Sequence, residues 1–116
     1  MKYMLLLYSS NDGGPTPGSP EHAAEMQKWF DYTAEIEAAG AMIASDALHP
    51  VDTATTVRVR DGKTLATDGP FAETKEMLGG FYLIDVEDLD QAKKWAEKVP
   101  LAPYGSVEIR PVMVFD

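Results

Sequence analysis

The chain has 116 residues, 45% hydrophobic and 25% charged, with no cysteine. That fits a single domain over residues 1–116 able to bury roughly 65% of its unfolded surface, and it excludes disulfide support and thiolate metal sites. A net charge of −9 with only three arginines, Arg58, Arg60 and Arg110, argues against direct nucleic-acid contact, since phosphate binding needs cations to displace counterions.

In chain order, Tyr3 to Tyr8 reads as a strand that is apolar on both faces. It is far shorter than the ~20 apolar residues of a membrane span, and no basic leader stands before it, so a cytoplasmic protein is expected. The run from Ser9 to Ser19 is a long loop of Gly, Pro and small polar residues. A helix then starts on Ser19 as cap and Pro20 as first residue. Met26, Trp29, Phe30, Thr33 and Ile36 form its apolar stripe, and Gly40 ends it. Ala41 to Ser45 is expected as a second strand.

Asp61-Gly62 between Thr-Val-Arg-Val-Arg and Lys-Thr-Leu-Ala-Thr is the signal of a two-residue hairpin. The implied register sets Val59 opposite Thr64, Val57 opposite Ala66 and Arg60 opposite Lys63. Phe81 to Val86 is a further strand. A second helix opens on Asp88 with Gln91 as a capping-box-like pair and buries Leu89, Ala92, Trp95, Ala96 and Val99 before Pro100. Val107 to Phe115 closes the chain as a strand.

The order β-α-β, hairpin, β-α-β specifies an α+β fold, a ferredoxin-like split βαβ with an inserted β-hairpin. Two helices cover one face of such a sheet. Yet the strands are apolar on both sides, with Tyr3, Leu5 and Leu7 opposing Met4, Leu6 and Tyr8, and Phe81 and Leu83 opposing Tyr82, Ile84 and Val86. A second copy is the simplest cover, giving a homodimer in which two sheets stack into a dimeric α/β barrel.

Asp68-Gly69-Pro70-Phe71-Ala72-Glu73-Thr74-Lys75-Glu76, with Leu78-Gly79-Gly80 after it, closely resembles the DGPF subgroup of the YCII-related family. The segment Ser106 to Val112 fits the same subgroup, and the likeness runs from Lys2 to Val114. The resemblance implies a dimeric barrel of ferredoxin-like subunits. It also implies two kinds of function, since some relatives are lyase-like enzymes acting on small organic acids and some DGPF domains are fused to sigma-factor-like regions. The family's enzymatic pair is a histidine early in the first helix and an aspartate before a proline after the second helix. Pro20-Glu21-His22 matches the first position. At the second, Val99 stands before Pro100, with no carboxylate.

Candidate site residues follow from both lines. His22, near a helix N-terminus whose dipole favours a neutral ring, is a candidate acid/base, or else a first-turn packing residue. Asp68 is a carboxylate presented by a rigid turn of Gly69 and Pro70, or else a residue that accepts from nearby amides and locks that turn. Gly69, Pro70, Phe71, Glu73 and Lys75 are candidate ligand contacts. For Glu73, Lys75 and Glu76 the plainer reading is a salt-bridged surface. Arg110, among apolar strand neighbours, is expected to pair with a carboxylate or to grip an organic acid through its planar fork. Gly79-Gly80 permits close backbone approach. Tyr3, Tyr8 and Tyr82 are expected as core or as the lining of a cavity.

Gly13-Gly14 lacks a phosphate-loop lysine, and His22 and His49 lack metal-ligand spacing. No cofactor or metal is expected. Two readings remain: a small-molecule enzyme with a cleft between sheet and DGPF loop, or a non-catalytic module that binds a protein partner, linked by family analogy to transcription initiation.

Overall fold

The structure, a computed structural model, describes residues 1–10 and 15–115. The expected loop from Ser9 to Ser19 therefore lies partly outside the described residues. The elements are β1 (Lys2–Ser9), α1 (Pro20–Ala38), β2 (Met42–Ala47), a short 3-10 turn (Val51–Thr53), β3 (Thr55–Arg60), β4 (Lys63–Asp68), β5 (Met77–Asp85), α2 (Leu89–Glu97) and β6 (Ser106–Pro111). Four strands form one antiparallel sheet in the order β2-β5-β1-β6, and β3 with β4 forms a separate two-stranded ribbon. The mixed α+β architecture and its strand order agree with the ferredoxin-like expectation.

Local chemistry explains the element boundaries. The Ser19 hydroxyl accepts from the His22 amide at 3.1 Å, and the Asp88 carboxylate accepts from the Gln91 amide at 3.0 Å, so each helix begins with one of its free amides satisfied. Gly40 follows α1 with φ +71°. The ribbon turns on Asp61 at φ 53° and Gly62 at φ 74°, the paired left-handed geometry of a tight hairpin. Its register sets Val57 against Ala66, Val59 against Thr64 and Arg60 against Lys63, as the sequence implies.

The core lies between the helices and one face of the sheet. Tyr3, Leu5 and Leu7 of β1 and Tyr82 and Ile84 of β5 meet Tyr32 and Ile36 of α1, and Ala92, Ala96 and Val99 from the second helical segment complete it. Each large side chain withdrawn here contributes about 1.5–3 kcal/mol. Tyr32 is the joint between layers. Its ring stands edge-on to Tyr82 at 5.1 Å and to Trp95 at 6.2 Å, and its hydroxyl donates to the Trp95 carbonyl at 2.9 Å.

Three expectations are corrected. On α1, Tyr32 is buried while Phe30 is 62% exposed, because the inward face centres on Trp29, Thr33 and Ile36 and takes in Tyr32 on one side, leaving Met26 and Phe30 at the opposite margin. On α2, Leu89 is exposed at the first position, ahead of the turns that touch the sheet. The last strand ends at Pro111 rather than Phe115. Only the Val112 amide continues the pairing, donating to the Lys2 carbonyl at 2.9 Å, and Met113, Val114 and Phe115 stand exposed.

Two apolar surfaces have no cover within the described chain. One is the sheet face of Met4, Leu6, Phe81 and Leu83, opposite the helices by strand alternation. The other is the β3–β4 ribbon, where Val57, Val59 and Leu65 are about half exposed or more. The ribbon stretches the molecule: its radius of gyration is 16.4 Å, against ~13 Å for a compact chain of this length.

Candidate functional site

A cleft of about 490 Å³ opens where the N-terminal half of α1 crosses the end of β1 and the start of β5. Its shape begins with a register shift. Leu7 pairs with Gly80 and Tyr8 with Leu78, so Gly79 is an extra residue on β5. Gly80 lets β2 approach: a Cβ there would lie 2.8 Å from the Asp46 carbonyl oxygen and 3.3 Å from the Ala47 Cα. The Gly79 carbonyl accepts from the Leu48 amide at 2.8 Å, closing the strand end. The glycine pair thus serves close backbone approach, and it does so at the cleft wall.

The other walls are aromatic. Trp29 and Phe30 come from α1, Tyr82 from β5, and Tyr104 from the loop after α2. The margin of α1 that the core does not use is therefore the margin that lines the cleft. Tyr82 pairs its hydroxyl with that of Thr33 at 2.8 Å, and Tyr104 donates to the Glu25 carboxylate at 2.9 Å. Withdrawal from water pushes the Tyr82 phenol up, and the Glu37 charge adds to this while the Thr33 contact opposes it. The Tyr104 phenol is pushed up to about 12, chiefly by withdrawal of its hydroxyl from water and then by Glu25, although the ring as a whole is largely exposed. Both phenols remain protonated near neutral pH. They supply polar O–H groups in a largely apolar slot, the usual make-up of a small-molecule site.

The residues singled out from the sequence stand around this cleft rather than in it. His22 is half-buried on the inward face of α1, one turn ahead of Met26, and does not line the cleft. Asp68 ends β4 opposite Thr55 and is exposed. Its carboxylate makes no hydrogen bond among the described residues. The turn is fixed by other groups: Gly69 sits at φ +97°, its amide donates to the Ala54 carbonyl at 2.7 Å, and the Thr56 hydroxyl donates to the Gly69 carbonyl at 2.7 Å. Phe71, after Pro70, is 79% exposed, with its carbonyl 3.4 Å from Arg58 Nη2.

Glu73 and Lys75 are exposed, and no ion pair forms among Glu73, Lys75 and Glu76 in the described residues. Arg110 likewise lacks the carboxylate partner expected for it. It pairs in register with Met4, on the sheet face away from the helices. Of the tyrosines weighed as cavity lining, Tyr82 lines the cleft, and Tyr3 and Tyr8 do not. Phe30 and Tyr104 were not foreseen there. The sequence shows Phe30 as one more apolar helix residue and Tyr104 as part of a Pro-Tyr-Gly turn. No group of three or more His, Asp or Glu able to hold a metal ion occurs among the described residues. No helix among them is long and apolar enough to cross a membrane.

The YCII-related domain family matches residues 1–116. An uncharacterised protein of Rhizobium meliloti (strain 1021) is 35% identical over 117 residues, covering 99% of this chain and 94% of that protein. Among solved structures, 5-chloro-2-hydroxyhydroquinone dehydrochlorinase from Burkholderia phenoliruptrix AC1100, in complex with 2,5-dihydroxybenzoquinone, is similar with a TM-score of 0.50. It is 14% identical, and the match covers 97% of this chain and 94% of the other. At that identity the likeness speaks to the fold. The chain belongs to the YCII-related domain family.

Proposed function

We propose that this YCII-related protein binds a small organic molecule in the cleft beneath α1, as a homodimer with enzyme-like chemistry at that site. The observation that carries the reading is the slot of about 490 Å³ itself, walled by Trp29, Phe30, Tyr82 and Tyr104 around two protonated phenols. A dehydrochlorinase of similar fold that holds a dihydroxybenzoquinone supports the same reading by analogy.

His22 and Asp68 are proposed as the acid/base and its orienter. His22 stands in the first turn of α1 and Asp68 at the root of the ribbon, both outside the lining, so in this proposal they act on a ligand that reaches beyond it. Because Val99 precedes Pro100, a carboxylate for His22 has to come from elsewhere, and Asp68 is the candidate that the turn presents. Gly69, Pro70, Phe71, Glu73 and Lys75 would then border the ligand.

The homodimer rests on the uncovered sheet face. Met4, Leu6, Phe81 and Leu83 stacked on the same face of a second copy would bury their surface reciprocally, with Glu108 and Arg110 toward the edge. A second reading, a protein-interaction module, is favoured by the exposed ribbon and by Met113, Val114 and Phe115, which offer apolar surface to a different partner.

Ligand titrations followed by Trp29 fluorescence in a Trp95→Phe background test the first reading, with Tyr104→Phe and Phe30→Ala as controls. Quenching that these variants weaken is the expected result. A panel of small cyclic compounds that never perturbs Trp29, while the protein captures a defined partner through its ribbon, would establish the module instead.

A further inference from the structure

Resting on the cleft as the binding site, we infer that it selects cyclic molecules without negative charge and rejects carboxylates. None of the residues that line it is Lys, Arg or His. The ionisable residues of the lining are Asp46, Tyr82 and Tyr104, and the Tyr104 hydroxyl is itself bonded to a carboxylate, Glu25. The nearby cation on α1, Lys28, lies 3.7 Å from that same carboxylate with its side chain 67% exposed. The arginine that the sequence offered to an organic acid, Arg110, belongs to the other face of the sheet.

A carboxylate entering this slot would shed water and meet no cation among the residues that line it, since Lys75 and His22 stand outside the lining. Desolvating an unpaired charge is far more costly than desolvating a neutral polar group. The overall charge of −9 opposes it further from a distance. An uncharged ring meets only favourable surfaces. Its faces find the aromatic walls, and a polar substituent finds the Tyr82 or Thr33 hydroxyl. A volume of about 490 Å³ is ample for a substituted ring and lies in the usual range of small-molecule sites.

Benzamide and benzoate, nearly equal in shape and different in charge, are the probes. With Trp29 as reporter in the Trp95→Phe protein at pH 7, benzamide is expected to bind at least tenfold more tightly than benzoate. Acidifying until benzoate is protonated should close the gap. Phe30→Lys, which adds a cation at a largely exposed wall position, should raise the affinity for benzoate relative to benzamide, even as loss of the Phe30 ring weakens both. Equal or tighter binding of benzoate to the unaltered cleft at pH 7 would overturn the selectivity while leaving the cleft as a binding site. Silence from both probes at every pH would overturn the cleft reading together with the selectivity.

Discussion

The Tyr82 phenol and the Thr33 hydroxyl meet at 2.8 Å, joining β5 to α1 at the point where core becomes cleft. Removing one partner leaves the other half-buried without its bond. Tyr82→Phe is therefore expected to cost about 0.5–1.5 kcal/mol in urea unfolding and to weaken ligands that use the phenol. A variant as stable and as tight-binding as the parent would show that the pair is incidental.

Gly79→Ala and Gly80→Ala should behave oppositely despite being neighbours. A Cβ at position 80 meets the Asp46 carbonyl oxygen at 2.8 Å, so β2 has to move, at a cost of about 1–3 kcal/mol. At position 79 the nearest atom is the Leu7 carbonyl oxygen at 4.0 Å. There alanine is tolerated and stabilises by up to ~1 kcal/mol through the unfolded chain. Thermal melts of the two variants decide this, and equal melting temperatures would contradict the strand spacing described.

The contribution of Tyr32 to stability should be constant up to about pH 10 and fall beyond it. Burial, with smaller contributions from Tyr82 and Glu35, holds the Tyr32 phenol above its ordinary range of about 10. The unfolded chain gives up this proton more readily than the folded one. The folded state therefore binds more protons through that window, and stability drops as pH rises. Tyr32→Phe should flatten the alkaline limb of a denaturation series. A limb unchanged by that substitution would assign it to other groups.

In the DGPF turn, Thr56→Val is expected to cost about 1 kcal/mol, since the 2.7 Å bond to the Gly69 carbonyl is lost. Asp68→Ala should stay within ±0.5 kcal/mol, because its exposed carboxylate holds no partner. If chemical denaturation ranks them in the reverse order, the turn is locked by Asp68 after all. With stability thus separated, loss of ligand binding or turnover in Asp68→Asn and His22→Ala becomes a clean test of their proposed roles.

On the assembly, the parent should scatter light as a particle of about twice 12.7 kDa. Leu6→Glu, which places a charge in the middle of the uncovered sheet face, should halve that mass. A parent that stays at the mass of one chain when concentrated would remove the sheet face as a homodimer surface.

Much of this architecture was legible because its causes are local. The Asp61-Gly62 turn fixes ribbon register through backbone angles, and Ser19 and Asp88 announce helices through their own hydrogen bonds. Strand alternation already separated the Leu5 face from the Leu6 face. What was not legible depends on contacts distant in sequence. Tyr32 is buried because Tyr82 and Trp95 come to it, and neither is near it in the chain. The bulge at Leu7 and Tyr8 exists only against β5. The cleft had been expected beside the DGPF loop, because the most distinctive residues are there. That loop instead belongs to the ribbon, while the lining is assembled from ordinary, mostly apolar residues of five separate segments.

The ribbon leaves the sheet between β2 and β5, the two strands pulled together over Gly80. Anything that grips the ribbon tugs on the tether of the cleft wall, and anything that wedges the wall apart shifts the ribbon. Occupancy of the cleft and partner binding at the ribbon would then be coupled by chain connectivity alone, each altering the other by the same factor. Such cooperativity would need no dedicated relay of side chains.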